Sequence, residues 1–235
     1  MHVFYHEDVE HDTVVLSPDE SRHCIKVLRM SEGGDAVIVD GHGTWCKAQL
    51  LEPNPRKSTF KVKERIRDFD KRPFHLHMAV APTKSIDRFE WFLEKATECG
   101  IDEITPLLCE KSERRVIKPQ RLEKILIAAM KQSLRATLPR LNGAITMESF
   151  LRQPLPGSRF IAHCAEGGKK HVRDIYETGN DAIFLVGPEG DFADTEIEAA
   201  AAQGFTAISM GAHRLRTETA AMALCVQVNS MNALL

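Results

Sequence analysis

The six cysteines of this 235-residue chain form no Cys-x-x-Cys pair, and none stands at zinc-finger spacing to a histidine. A sequence-encoded zinc finger or redox dithiol is therefore not expected, and scattered cysteines fit reduced thiols in a cytoplasmic setting. No segment approaches the length of a membrane span. Met1-His2-Val3-Phe4 offers no basic start followed by an apolar run, so no signal peptide is expected there. No Gly-x-Gly-x-x-Gly follows a strand-like run, which argues against a dinucleotide fold of the common type. No Gly-Lys-Ser or Gly-Lys-Thr occurs, which argues against a phosphate-binding P-loop. Net charge is also small, −2, so the chain as a whole carries no polyanion signal.

Charge is segregated nonetheless. Residues 56–72 carry eight Lys/Arg against three acids, and residues 111–140 carry nine against two. Residues 163–203 reverse this, with nine acids against three Lys/Arg. Such separation fits a protein that presents a basic surface to a polyanion, although a charge run is as often only a solvated face. Hydrophobic residues make up 43%, enough for one large core or two modest ones.

Two parts are legible. Residues 1–72 read as short strands (Val14–Leu16, Ala36–Val39, Trp45–Leu50, Ser58–Val62) separated by Gly33-Gly34, Gly41-His42-Gly43 and Pro53-Asn54-Pro55. That spacing predicts a small barrel. Ser17-Pro18-Asp19-Glu20 reads as a helix start, continued to Met30. Such a helix would set Arg22, Lys26 and Arg29 on one face beside His23, a candidate RNA surface. After the charged linker 68–73, strand and helix alternate. Strands are expected at 75–81, 103–108, 159–163, 182–186 and 206–209, with helices at 85–99, 120–134 and 217–233. Alternation of this kind implies a parallel sheet covered on both faces. The last helix is apolar nearly all round, which predicts burial or a covering partner.

The richest stretch is 184–220. Phe184-Leu185-Val186 breaks into Gly187-Pro188-Glu189-Gly190-Asp191-Phe192, and Thr206–Ser209 breaks into Met210-Gly211-Ala212-His213-Arg214-Leu215-Arg216-Thr217-Glu218-Thr219-Ala220. Two strand ends followed by Gly-bearing loops can form one pocket at one edge of a parallel sheet. Alone, Gly187-Pro188-Glu189-Gly190 is as easily a β-turn. Specificity comes from several blocks in order: His23–Arg29, Lys84 with Arg88-Phe89-Glu90, Lys95–Ile101, Lys131–Arg135, Val186–Gly190 and Leu215–Ala220.

This series resembles the bacterial 16S rRNA uracil-N3 methyltransferases, members of the SPOUT superfamily of knotted, S-adenosylmethionine-dependent enzymes. The likeness covers almost the whole chain. It implies an α/β protein with a PUA-like β-barrel RNA-binding domain at 1–72 and a SPOUT trefoil-knot methyltransferase domain at 73–235, the knot being a rare exception to unknotted folding. It implies S-adenosylmethionine as methyl donor, 16S rRNA of the small ribosomal subunit as substrate, a homodimer through the knotted domain, and no membrane or metal.

The resemblance also assigns residues. Three loops would hold the donor: His163–Gly167, Val186–Gly190 and Met210–Ala220. The donor contacts expected within them are His163, Val186, Gly187, Pro188, Glu189, Gly190, Met210, Gly211, Leu215, Arg216, Glu218, Thr219 and Ala220. Small residues there permit close approach of backbone to ligand. Arg22, His23, Lys26, Arg29 and Arg135 are the expected RNA contacts. Asp191 stands where the family usually has Gly, and Asp accepts left-handed backbone better than most residues. His213-Arg214 departs from the family's more usual basic-then-aliphatic pair.

Methylating N3 of uracil requires loss of the imide proton and stabilisation of charge spread over O2, N3 and O4. Because N3 lies on the Watson–Crick edge, the base must be unpaired or flipped. The catalytic candidates are Arg216, Arg135 and Glu189. Arg216 either stabilises the uracil oxyanion or pairs with Glu189 or Glu218. Arg135 either approaches the target nucleotide or serves as a helix-end cation. Glu189 is either a base or a hydrogen-bonding anchor of its loop. Glu218 and Thr219 are expected to cap the last helix and touch the donor. His75 and His77 share a strand face, but no third metal ligand is evident. A relative acting on tRNA or on a ribose hydroxyl is an alternative, and so is a non-catalytic RNA-binding protein that kept the fold.

Overall fold

The computed structural model describes residues 1–165 and 167–233. The chain divides into two compact units, one formed by Met1–Lys71 with Ile127–Leu138, the other by Arg72–Leu126 with Pro139–Leu235.

The first unit contains β1 (Val3–Tyr5), β2 (Thr13–Val15), α1 (Pro18–Arg22), β3 (Asp35–Val39), β4 (Trp45–Glu52) and β5 (Thr59–Ile66). Its five-stranded sheet runs β1-β3-β4-β5-β2. The β1–β3 pair is parallel and the others antiparallel. Strand β1 is too short to announce itself in the sequence, yet Phe4 is fully buried and lies 5.5 Å from the ring of Phe60. These two rings, with Val14, Leu16, Ile38, Cys46 and Leu50, form the core. Residues 127–138 belong to this unit as well: Met130 and Ala136 are buried beside Val37, Val39 and Trp45.

The helix expected from Ser17 to Met30 changes character midway. Ser17 caps it as anticipated, accepting from the Glu20 N–H at 3.3 Å. At His23–Val27 the coil widens to a π turn, with the Leu28 N–H bonded to the His23 carbonyl at 3.0 Å. Arg29 is then left-handed at φ 54°. Arg22, His23, Lys26 and Arg29 are all exposed, but the single helical face inferred from their spacing does not form.

The second unit contains β6 (Leu76–Val80), α2 (Ile86–Cys99), β7 (Glu103–Leu108), α3 (Pro119–Gln132), β8 (Arg140–Leu141), β9 (Ile145–Thr146), α4 (Met147–Leu151), β10 (Ser158–Ala162), β11 (Lys170–His171), β12 (Ala182–Val186), α5 (Asp194–Ala202), β13 (Thr206–Ser209) and α6 (Thr217–Asn232). Helix α3 crosses the division, its residues from Ile127 onward counting with the first unit. The sheet is parallel throughout, in the order β11-β13-β10-β12-β6-β7-β8, with β9 on β7. Every residue of β6 and β12 is buried, which explains why both are apolar apart from His77. Helices α4 and α5 cover one face through Phe150, Leu151 and Ala200, joined by Phe205 just beyond α5. Helix α6 packs on α2, and the Asn229 amide reaches the Gly100 carbonyl at 2.7 Å. The short elements β8, β9, α4 and β11 carry no periodic pattern long enough to read from sequence. The fold class is α/β, as expected, with a parallel-sheet unit and an N-terminal unit built on a five-stranded sheet.

Candidate active site at three neighbouring strand ends

Strands β13, β10 and β12 are adjacent, so the loops after Ser209, Ala162 and Val186 emerge side by side at the carboxyl edge. They enclose a cavity of ≈ 560 Å³, within the range of small-molecule sites. Its lining includes His163, Val186, Gly187, Pro188, Glu189, Gly190, Met210, Gly211, Leu215, Arg216 and Ala220. Glu218 and Thr219 are not among the lining residues, and neither caps α6. The N-cap position is Arg216, without a side-chain cap bond, because the chain enters the helix with Thr217 turned inward. The Thr217 hydroxyl donates to the Gly187 carbonyl at 2.9 Å and so joins the second loop to the third. Glu218 is buried instead, its Oε1 4.0 Å from Arg88 Nε.

Gly187 and Gly211 serve different ends. A Cβ on Gly187 would stand 3.0 Å from the Phe192 ring, so the loop's own packing requires glycine there. Gly211 faces open space, but its φ of +123° is one that side-chain-bearing residues rarely adopt.

Asp191 takes φ 61°, the left-handed conformation expected of it. One carboxylate oxygen accepts from the Cys164 N–H at 2.8 Å and the other from the Phe192 N–H at 2.9 Å. The first and second loops are thereby joined. Glu189 is exposed, and its Oε1 accepts from the Lys84 N–H at 2.9 Å. Neither Glu189 nor Glu218 pairs with Arg216, whose exposed guanidinium has no ion-pair or hydrogen-bond partner among the described residues. Arg135 belongs to the first unit, 3.6 Å from the Asp70 carboxylate.

His163 Nδ1 is buried with no hydrogen-bond partner among the described residues. Burial, and secondarily the nearby Lys169 ammonium, pushes this imidazole below its ordinary pKa and favours the neutral ring. Lys169, which no sequence signal marked, donates to the His163 carbonyl at 2.7 Å and lines the cavity with Cys164 and Thr217. Glu166, part of the expected first loop, lies outside the described residues.

His75 and His77 line a different cavity, at the amino edge of the sheet. His77 Nε2 lies 2.8 Å from the Thr105 hydroxyl, and His75 Nε2 lies 3.6 Å from Glu103. Among the described residues no group of three or more His, Cys, Asp or Glu is arranged to hold a metal.

Residues 70–229 match the family described as RNA methyltransferase domain, and residues 16–63 match the RNA methyltransferase PUA domain. A ribosomal RNA small subunit methyltransferase E of Rickettsia conorii is 30% identical over 233 residues, covering 95% of this chain and 92% of the relative. The chain belongs to the ribosomal RNA small subunit methyltransferase E family. It is an RNA methyltransferase. Among solved structures, a probable rRNA-methyltransferase from Porphyromonas gingivalis is similar at 37% identity and a TM-score of 0.92, covering 100% of this chain and 99% of that one. A ribosomal RNA small subunit methyltransferase E from Neisseria gonorrhoeae, bound to S-adenosyl methionine, is similar at 27% identity and a TM-score of 0.88, covering 99% and 98%.

Proposed function

We propose that this enzyme methylates N3 of a uridine in 16S rRNA of the small ribosomal subunit, using S-adenosylmethionine held at the three strand ends. The carrying observation is the cavity itself: three glycine-bearing or polar loops converge there, tied together by Asp191–Cys164 and Thr217–Gly187. The residues suit such a donor. The site offers backbone groups at Val186–Gly190 and Met210–Gly211, and a buried His163 nitrogen without a partner among the described residues. When bound, the donor supplies an electrophilic methyl group on a cationic sulfur.

The roles of the side chains follow from their surroundings. Arg216 lines the cavity with no ion-pair or hydrogen-bond partner among the described residues, so it is a cation available to charge developing on the uracil oxygens. Glu189 has spent one oxygen on Lys84, which favours service as an anchor of the donor loop over removal of the proton. Residues 1–72 act as the RNA-binding domain, with Arg22, His23, Lys26, Arg29 and Arg135 meeting phosphates, and residues 73–235 act as the methyltransferase domain. Val226 and Trp91, on the packed helices α6 and α2, are 45% and 44% exposed, and this apolar surface suits a homodimer. No helix among the described residues is long and apolar enough to cross a membrane, consistent with work on ribosomes in the cytoplasm.

Mass spectrometry of 16S rRNA from a strain lacking the gene tests the reading. One 3-methyluridine should disappear and return when the protein is supplied. A missing 2′-O-methyl group or an altered tRNA nucleoside instead would overturn it.

A further inference from the structure

The segment 109–115, after β7, belongs to no helix or strand, yet it is bonded at several points to the loops behind the cavity. The Lys111 ammonium donates to the Phe192 carbonyl at 3.0 Å, and a Cβ on Gly190 would meet Lys111 at 3.3 Å. The Glu110 N–H donates to Glu196, at the start of α5, at 2.9 Å. Arg114 reaches the other way. Its Nε lies 3.1 Å from both the Thr83 and the Lys84 carbonyl oxygens, and its Nη2 lies 2.6 Å from the Lys84 oxygen.

The peptide between Thr83 and Lys84 is thus held at both ends. Its carbonyl accepts from the Arg114 guanidinium, and its N–H donates to the Glu189 carboxylate at 2.9 Å. A cation on the oxygen and an anion on the hydrogen polarise the same peptide dipole in the same sense. Each bond therefore strengthens the other. The planar guanidinium fork spans two successive carbonyls, which a single ammonium cannot do equally. Arg114 is half-buried, so solvent screens this arrangement only in part. Glu189 Oε2 accepts no hydrogen bond among the described residues, and Glu189 lines the cavity.

We propose that Arg114 is a positioning residue for methyl transfer, fixing Glu189 at the cavity through the Thr83–Lys84 peptide. Arg114 is not among the residues lining the cavity; it sets the direction of a carboxylate that is. The role rests on the cavity being the donor site.

A double-mutant cycle tests it, with S-adenosylmethionine affinity measured by calorimetry on wild type, Arg114→Gln, Glu189→Ala and the double variant. Arg114→Gln should weaken donor binding on the order of tenfold, and this loss should shrink to below about twofold in the Glu189→Ala background, since coupled neighbours are non-additive. Arg114→Lys, which keeps one donor bond, should fall between wild type and Arg114→Gln, and it can stand in for Gln in the cycle if Gln does not fold. Equal losses in both backgrounds would overturn the role, as would a lowered unfolding midpoint with unchanged donor affinity. A wild type that fails to bind the donor would instead strike down the site reading, and the role with it.

Discussion

The Asp191 carboxylate and the Cys164 backbone N–H, 27 positions apart in the chain, meet at 2.8 Å and join two of the three loops around the cavity. Asp191 does this from a left-handed backbone, φ 61°, where a side chain other than Asn or Asp is disfavoured.

Asp191→Ala removes both the acceptor and the tolerance of that backbone. Donor affinity should fall about tenfold, since a hydrogen bond to a charged acceptor contributes about 1.5–3 kcal/mol and exposure lessens this one. Asp191→Gly restores the backbone alone and should recover only the strain component, about 1 kcal/mol. Calorimetric titration with S-adenosylmethionine on wild type and both variants separates the two; wild-type affinity in Asp191→Gly would show that the carboxylate contributes nothing.

Arg216→Ala should slow single-turnover methylation of 16S rRNA roughly 100–1,000-fold, the usual loss when one well-placed charge-stabilising donor is removed. Donor and RNA affinities should change far less. Rates should recover partly as pH rises, because more of the uracil is then already ionised. A normal saturated rate with weakened RNA affinity would make Arg216 a phosphate contact.

Arg22, Lys26 and Arg29 no longer share a helical face, but each remains exposed and cationic. Changing all three to Ala should weaken RNA binding and reduce the slope of log affinity against log salt by up to about 2–3, at roughly 0.7–0.9 per lost phosphate contact. Filter-binding titrations over a salt series read this directly. An unchanged slope would leave the three as solvated side chains.

Gly187→Ala should lower the unfolding midpoint and donor affinity together, because the added methyl group meets the Phe192 ring; overpacking of this kind costs about 1–3 kcal/mol. Phe192→Leu combined with Gly187→Ala should recover part of the midpoint by clearing space. No recovery in urea melts would place the requirement for glycine elsewhere.

Burial lowers the His77 pKa from 6.5 to about 4, the opposing pull of Glu103 being weaker. The folded state thus binds this proton less readily than the unfolded chain. Its contribution to stability is present above pH 6.5 and is lost as pH falls toward about 4, by about 3 kcal/mol at most. Urea unfolding of His77→Gln should show a flatter decline across pH 7 to 4 than wild type; parallel declines would assign the acid sensitivity to other groups.

Patterns that repeat along the chain were legible without coordinates. Apolar runs at 76–80, interrupted by His77, and at 182–186 identify buried parallel strands, because only a strand covered on both faces needs no polar side. The helical spacing of Ile86, Phe89, Leu93 and Ala96 marks α2, and glycines after strand ends mark the loops that line the cavity. Lone, long-range bonds were not legible. Nothing near Thr217 shows that its hydroxyl closes on Gly187, and nothing near Arg114 shows that it faces the Thr83–Lys84 peptide. The same holds for residues 127–138, whose sequence reads as the end of a helix and whose partners lie in β3 and β4. The helix from Ser17 likewise turned π at His23, and no periodicity records that widening. Local propensity and periodicity depend on neighbours within a few residues, so they are written in the sequence. A cavity depends on which distant loops become neighbours, and only the strand order β13-β10-β12 decides that.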